Sequence, residues 1–461
     1  MLNLLKEGRK VVENFASFRK KTVKGNGAIM KFNKLSKILG LSVTSLLASA
    51  FVQAELLMVS PEEAGFDSEK LEAIIERADS VYEAGSLPNY VIALAKDGKV
   101  FFTASRGNRT IGIDSPVGMD TLFPLASMSK PIASSAIFHL IEQGKLTLDS
   151  ELSEFYPEFE SMLVAENGSL DAQFEDISRP ITILDLLTHT SGIEYRTAIG
   201  GTTDVADLYE EIGLIDACLS ASENMELLAQ LPLIAQPGEI WNYSISVDVL
   251  GAVVEAIAGI PLGRYVAENL FSPIGISESA WRHSDQTLNE KFATLYNPPF
   301  VGQTPIGLSG NEGIEWNLAA SERYSACPVG SQQRIFDMGG SGLVGNATDY
   351  LIYAMMIANL GEYDGTRILS EESVNKQLTK QVPAAEDIRG IQGRLFGAGF
   401  GYSLDPDTGL ADYYGWGGSN GTGFFVDPLD GTVGVLMTSC YRCRLSFTAA
   451  VEEIVDGARL N

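Results

Sequence analysis

The pair Asp97-Gly98 constrains the fold more tightly than any other two residues, because Tyr90-Val91-Ile92-Ala93-Leu94-Ala95 precedes it and Val100-Phe101-Phe102-Thr103 follows. Apolar, β-branched and aromatic runs on either side of an Asp-Gly break predict a β-hairpin. Similar runs recur near the far end of the chain. Residues 400–404, 423–426 and 432–437 read as strands, the last two joined by Asp427-Pro428-Leu429-Asp430-Gly431. Helices bracket both groups. Asp67-Ser68-Glu69 opens an amphipathic helix to about residue 84, with Leu71, Ile74, Ile75, Ala78 and Val81 along one side, and residues 447–460 close as another. Between them, residues 146–331 read as helix and loop, most clearly helical at 181–187, 208–231 and 247–258. Thr348 suits the N-cap of a further helix to about residue 360. The order predicts an α+β fold, in which both chain ends build one antiparallel β-sheet flanked by N- and C-terminal helices beside an inserted all-helical lobe.

Charge narrows the function classes. The 461 residues hold 33 Lys and Arg against 59 Asp and Glu. Residues 1–54 take ten of the bases and two of the acids, leaving 23 against 57, or −34, on the remainder. So acidic a surface repels phosphate backbones, and no nucleic-acid partner is expected. The three histidines (His139, His189 and His283) form no metal-binding motif, so neither metal nor cofactor is expected. Of the four cysteines (Cys218, Cys327, Cys440 and Cys443), the Cys440-x-x-Cys443 pair has no second ligand pair and reads as ordinary structural or free thiols.

The N-terminus carries a separate message. Residues 30–37 are basic, 38–51 apolar with small side chains, and Val52-Gln53-Ala54 offers a signal-peptidase site. Residues 30–54 are therefore expected to be a signal peptide, with 1–29 an over-extended start. The mature protein is expected to be periplasmic or secreted, without a stable membrane span.

Chemistry gathers at Leu125-Ala126-Ser127-Met128-Ser129-Lys130-Pro131, where an extended run gives way to an apolar-periodic one at residues 132–143. Ser127 and Lys130 are then three apart on a first helical turn and share a face. A serine hydroxyl attacks when a nearby base takes its proton, and a lysine of lowered pKa is such a base. Ser129, about 100° round the helix from Lys130, is the poorer partner. Tyr243 lies just ahead of the helix at 247–258, and Lys130 is a cation able to stabilise its phenolate. The glycine-rich stretch Tyr414-Gly415-Trp416-Gly417-Gly418-Ser419-Asn420-Gly421 allows backbone N–H groups to approach a ligand; one near Ser419, with that of Ser127, would make an oxyanion hole.

Five ordered motifs carry a resemblance to the penicillin-recognising serine hydrolases. They are residues 123–131, Leu186-Leu187-Thr188-His189-Thr190-Ser191-Gly192-Ile193, Pro237-Gly238 through Tyr243-Ser244, Gly340-Ser341-Gly342-Leu343 and Trp416-Gly417-Gly418. From about Pro61 to Leu460 the chain resembles the branch of class C β-lactamases and family VIII carboxylesterases, and residues 58–461 are expected to form that domain. The resemblance implies Ser127 as acylated nucleophile, Lys130 and Tyr243 as the proton-handling pair, and the N–H groups of Ser127 and Ser419 at the oxyanion beside Trp416, Gly417 and Gly418. It gives His189 a structural place only. Two departures separate the branches. Ile245 stands where lactamases carry an asparagine, and Trp416 where they carry a lysine that attracts the substrate carboxylate. Both changes favour a neutral, hydrophobic ester as the small-molecule partner. A β-lactamase, D-aminopeptidase, DD-peptidase or acyltransferase is the enzymatic alternative, and a non-catalytic binding module the remaining one. Gly417-Gly418-Ser419-Asn420-Gly421 also fits G-x-S-x-G, but that elbow needs a following helix and a later histidine, and none lies beyond His283.

Overall fold

The computed structural model describes residues 56–460, apart from 172, 196–202, 213–214, 282–289, 298–316, 319–334, 380–393, 405–410, 442 and 444–446. The segments expected as over-extended start and signal peptide lie outside the described residues.

The strands that build the main sheet are β1 (Leu57–Met58), β2 (Asn89–Lys96), β3 (Lys99–Gly107) and, from the far end of the chain, β6 (Arg394–Phe396), β7 (Gly401–Leu404), β8 (Ala411–Gly418), β9 (Thr422–Val426) and β10 (Val433–Met437). A separate short pair is β4 (Phe123–Pro124) with β5 (Val344–Gly345). The sheet order is β1-β3-β2-β10-β9-β8-β7-β6. All its pairings are antiparallel except that of β1 with β3. The junction of the two chain ends is β2 against β10, with Ala93 opposite Val435. At the β2–β3 turn Asp97 and Gly98 both take positive φ (51° and 74°), as a two-residue hairpin requires.

Alternation along β2 sorts the two cores. Tyr90, Ile92 and Leu94 join Leu71, Ile74 and Val455 from α1 (Ser68–Glu83) and α5 (Phe447–Ala458). Val91, Ala93 and Ala95 face the other way, toward α2 (Ser129–Glu142) and α4 (Ala347–Ala358). The terminal helices are tied to each other through Asp67 N–H to Ala458 O (2.8 Å) and Lys70 Nζ to Gly457 O (3.0 Å). α2 is buried nearly all round, Ser129, Lys130, Ser134 and Ser135 included, with α3 (Ser246–Ala258) packed against it.

Several local expectations need correction. The run expected as one helix at 208–231 is two, Asp204–Ile212 and Ala221–Leu228, the second restarted by a Ser220–Glu223 capping box. Asn346, not Thr348, caps α4, accepting from Asp349 N–H at 2.8 Å. The lobe is not wholly helical: Leu163–Ala165 and Phe174–Asp176 pair as a small hairpin. Among the described residues no single helix is long and apolar enough to cross a membrane. Cys440 and Cys443 are joined in a disulfide and Cys218 is also disulfide-bonded, while Cys327 lies outside the described residues.

Candidate active site

Ser127 does not sit within α2 itself but in the 3-10 turn Ala126–Met128 that leads into it. Ala126 holds φ at 48°, a left-handed conformation that costs a non-glycine residue about 1 kcal/mol or more. The strain is held by a local stitch. Ser129 Oγ donates to Ala126 O (2.7 Å) and accepts from Leu343 N–H (3.0 Å), while Leu125 N–H bonds Leu343 O (2.9 Å). Ser129 is thus committed to the backbone. Along residues 121–138 every side chain is buried except Ser127, which is partly exposed.

One turn on, Lys130 is fully buried. Its Nζ donates to the carbonyl of Gly340 at 2.7 Å and lies 3.4 Å from Ser127 Oγ. Burial pushes this amine below the ordinary lysine value, opposed by the nearby Tyr195 and by the Asp248 carboxylate. Asp248 acts through one glycine: its Oδ1 accepts the N–H of Gly340 (3.0 Å), whose carbonyl holds the amine. A side chain at 340 would meet Asp248 Oδ2 at 2.4 Å, so only glycine fits there.

Tyr243 reaches the same place from just ahead of α3. Its phenol faces the Ser127 hydroxyl and accepts the Trp416 indole N–H at 3.3 Å. Burial raises its pKa well above the ordinary tyrosine value, and these two groups pull in the opposite direction. Lys130 Nζ lies 4.7 Å from the Tyr243 ring centroid and 5.8 Å from that of Tyr195. An aromatic wall continues outward: Tyr195 stacks on Tyr243 (5.7 Å between centroids), Trp416 lies 5.5 Å from it, and Phe396 meets Trp416 edge-on at 5.0 Å.

The glycine-rich turn is pinned to the residues just before Ser127. Asn420 Nδ2 donates to Pro124 O (2.9 Å) and Thr422 Oγ to Leu125 O (3.1 Å). A Cβ on Gly418 would stand 2.3 Å from Leu125 O, which explains the glycine. Behind the turn, Cys440 N–H bonds Asn420 O (2.9 Å), so the Cys440–Cys443 disulfide braces it. Ser419 is exposed in a β8–β9 hairpin turn, not on a strand-to-helix elbow, as expected from the missing later histidine. Gly417 is exposed and Trp416 buried.

The structure therefore brings Ser127, Lys130, Tyr243 and Trp416 together, with Gly417, Gly418 and Ser419 alongside. Sequence reasoning overlooked Asp248, Tyr195 and Phe396. Asp248 had a readable signal as the sole charge in the apolar run 245–254, whereas Tyr195 and Phe396 have none. Among the described residues no cluster of His, Cys, Asp and Glu could hold a metal ion.

Comparison with known proteins gives the same picture. Esterase EstB of Burkholderia gladioli is 31% identical over 390 residues, covering 80% of this chain and 91% of that protein. Among solved structures, EstCE1, described as a hydrolase with promiscuous acyltransferase activity, superposes with a TM-score of 0.67 at 26% identity, covering 84% of this chain and 98% of that one. A penicillin-binding protein from Bacillus halodurans shares the fold, with a TM-score of 0.60 at 23% identity over 83% of this chain and 99% of that one. The family model described as Beta-lactamase matches residues 71–442, and the chain belongs to that family of serine hydrolases.

Proposed function

We propose that the chain is a serine esterase that cleaves small or short-chain carboxylic esters through an acyl-enzyme on Ser127. The carrying observation is the convergence of Lys130 Nζ and the Tyr243 phenol on the one partly exposed hydroxyl of an otherwise buried segment. Burial favours the neutral amine of Lys130, which takes the Ser127 proton as Oγ attacks the carbonyl carbon. The carbonyl oxygen becomes an oxyanion held by the N–H groups of Ser127 and Ser419. Tyr243, whose high pKa keeps it a phenol, donates its proton to the departing alkoxide and is reprotonated by Lys130. Water then attacks the acyl-enzyme, with the same pair removing its proton, and releases the acid.

Trp416 supports the choice of ester. Its buried indole donates to Tyr243 where a lysine would attract a carboxylate, and Ile245 is buried at the start of α3. EstB is named an esterase, in line with this reading. On purified protein, kcat/KM for p-nitrophenyl acetate and butyrate is expected to exceed that for nitrocefin by more than about a hundredfold. Comparable rates would favour the lactamase reading.

Export is part of the proposal. Residues 30–54 read as a signal peptide, and the Cys440–Cys443 disulfide is of a kind that persists in oxidising compartments. N-terminal sequencing of the exported protein is expected to begin near residue 55; a mature chain beginning before Met30 would contradict it.

A further inference from the structure

We propose that His189 is a positioning residue for Tyr243, gripping the backbone on both sides of it. The His189 carbonyl accepts the N–H of Asn242 (2.8 Å), and its imidazole Nδ1 accepts the N–H of Ser244 (3.1 Å). Residues 241–244 belong to no helix or strand, so no ladder of backbone bonds fixes them. The two grips take that place, immediately before and after the residue whose phenol must meet Ser127. The inference rests on reading Tyr243 as the proton-handling partner of Ser127.

The cost of keeping this histidine points the same way. Its φ is 58°, a left-handed conformation uncommon outside glycine that histidine, like asparagine, enters more readily than most side chains. Its ring is buried beside Tyr243 (4.7 Å between centroids) and Phe396 (5.1 Å), yet Nε2 has no hydrogen-bond partner among the described residues. Because Nδ1 accepts, the neutral ring carries its hydrogen on that unpaired Nε2. A buried unpaired donor is destabilising. A phenyl ring would fill the same space without that penalty, but it could not accept the Ser244 N–H. Burial, and secondarily Lys130, hold the imidazole well below its ordinary pKa, so Nδ1 keeps its lone pair. Nδ1 is also met at 3.2 Å by Ser244 Oγ, the first hydroxyl of a chain Ser244–Ser246–Ser191 with Oγ separations of 2.6 and 2.8 Å.

The test compares His189→Phe, His189→Asn and His189→Gln with the parent protein. Each is titrated for active sites with a fluorophosphonate, assayed by pH-stat on an unactivated alkyl ester such as ethyl butyrate, whose alkoxide must be protonated to leave, and checked by thermal melting. His189→Phe is expected to lose about a hundredfold in kcat per titrated site, with KM changed by less than about threefold. His189→Asn puts an acceptor at the δ position and tolerates left-handed backbone, so it should recover at least about tenfold of that loss. His189→Gln moves the acceptor one carbon outward and should fall below His189→Asn. If His189→Phe folds and keeps the parent kcat, the proposal is overturned. Equal rates for Asn and Gln overturn it too, and that comparison stands even if the Phe variant does not fold. Tyr243→Phe separates the two readings. If it keeps parent activity, the proton-pair reading itself fails; if it is inactive while His189→Phe is active, only the positioning role fails.

Discussion

The carbonyl of Gly340 accepts a hydrogen bond from Lys130 Nζ at 2.7 Å, and this bond, shorter than the 3.4 Å approach to Ser127 Oγ, sets where the amine sits. Because the N–H of the same glycine is held by Asp248, a carboxylate is linked to the proposed base without touching it.

That arrangement makes a pH prediction with a definite sign. The Asp248 charge raises the pKa of both Lys130 and Tyr243, since a neighbouring anion disfavours loss of a proton. Asp248→Asn keeps an acceptor for the Gly340 N–H but removes the charge. The rising limb of kcat/KM against pH, which reports the free Lys130 amine, should move to lower pH, and the alkaline limb with it. Profiles measured on an uncharged ester check this, and an upward or absent shift contradicts it.

Trp416 is expected to tune Tyr243. Trp416→Phe keeps an aromatic ring but removes the indole N–H that bonds the phenol oxygen at 3.3 Å. The loss of one buried neutral hydrogen bond should lower kcat by up to about tenfold. Steady-state kinetics on p-nitrophenyl esters measure it, and a parent-like kcat would show that the indole N–H is idle.

Gly418 should tolerate no side chain. In Gly418→Ala the new Cβ would stand 2.3 Å from Leu125 O and 2.4 Å from Thr422 Oγ, so the β8 end must move away from the Ser127 turn. A displacement on the order of 1 Å is expected to cost roughly a hundredfold in kcat. Circular dichroism should show the sheet retained. Parent-like turnover would mean that this turn does not help build the site.

Ser129 is assigned to the scaffold, so Ser129→Ala should be felt first in stability. It leaves the Leu343 N–H without its acceptor and frees the turn at Ala126, at a cost of about 1–3 kcal/mol. Urea unfolding measures this. A variant with parent stability but no turnover would instead place Ser129 in the chemistry.

Much of this was legible in the chain before folding, for reasons that differ by element. Asp97-Gly98 signals its hairpin because both residues tolerate positive φ, and Asp67 signals α1 because its carboxylate caps Glu69 N–H and Lys70 N–H. Ser127 and Lys130 are close in sequence, so local helical geometry nearly suffices to pair them. Elsewhere the decisive contacts are between distant residues or run through the backbone. The Gly340 carbonyl that holds Lys130 is 210 residues away and carries no side-chain signature. The role of Asp248 depends on that same glycine. Tyr195 and Phe396 join the aromatic wall only because the lobe and the edge strand β6 fold over Tyr243. The misplaced cap at Thr348 has a simpler cause: Asn346 and Thr348 both suit an N-cap, and β5 ends at Gly345, leaving Asn346 extended at the helix entrance.

The most direct measurement is the site of covalent labelling. The protein is incubated with a fluorophosphonate, its intact mass is read, and the modified peptide is mapped. The account predicts one adduct, on the peptide carrying Ser127, absent from Ser127→Ala and fully formed in Ser419→Ala. An adduct on Ser419 or Ser129, or undiminished labelling and ester turnover in Ser127→Ala, would contradict it.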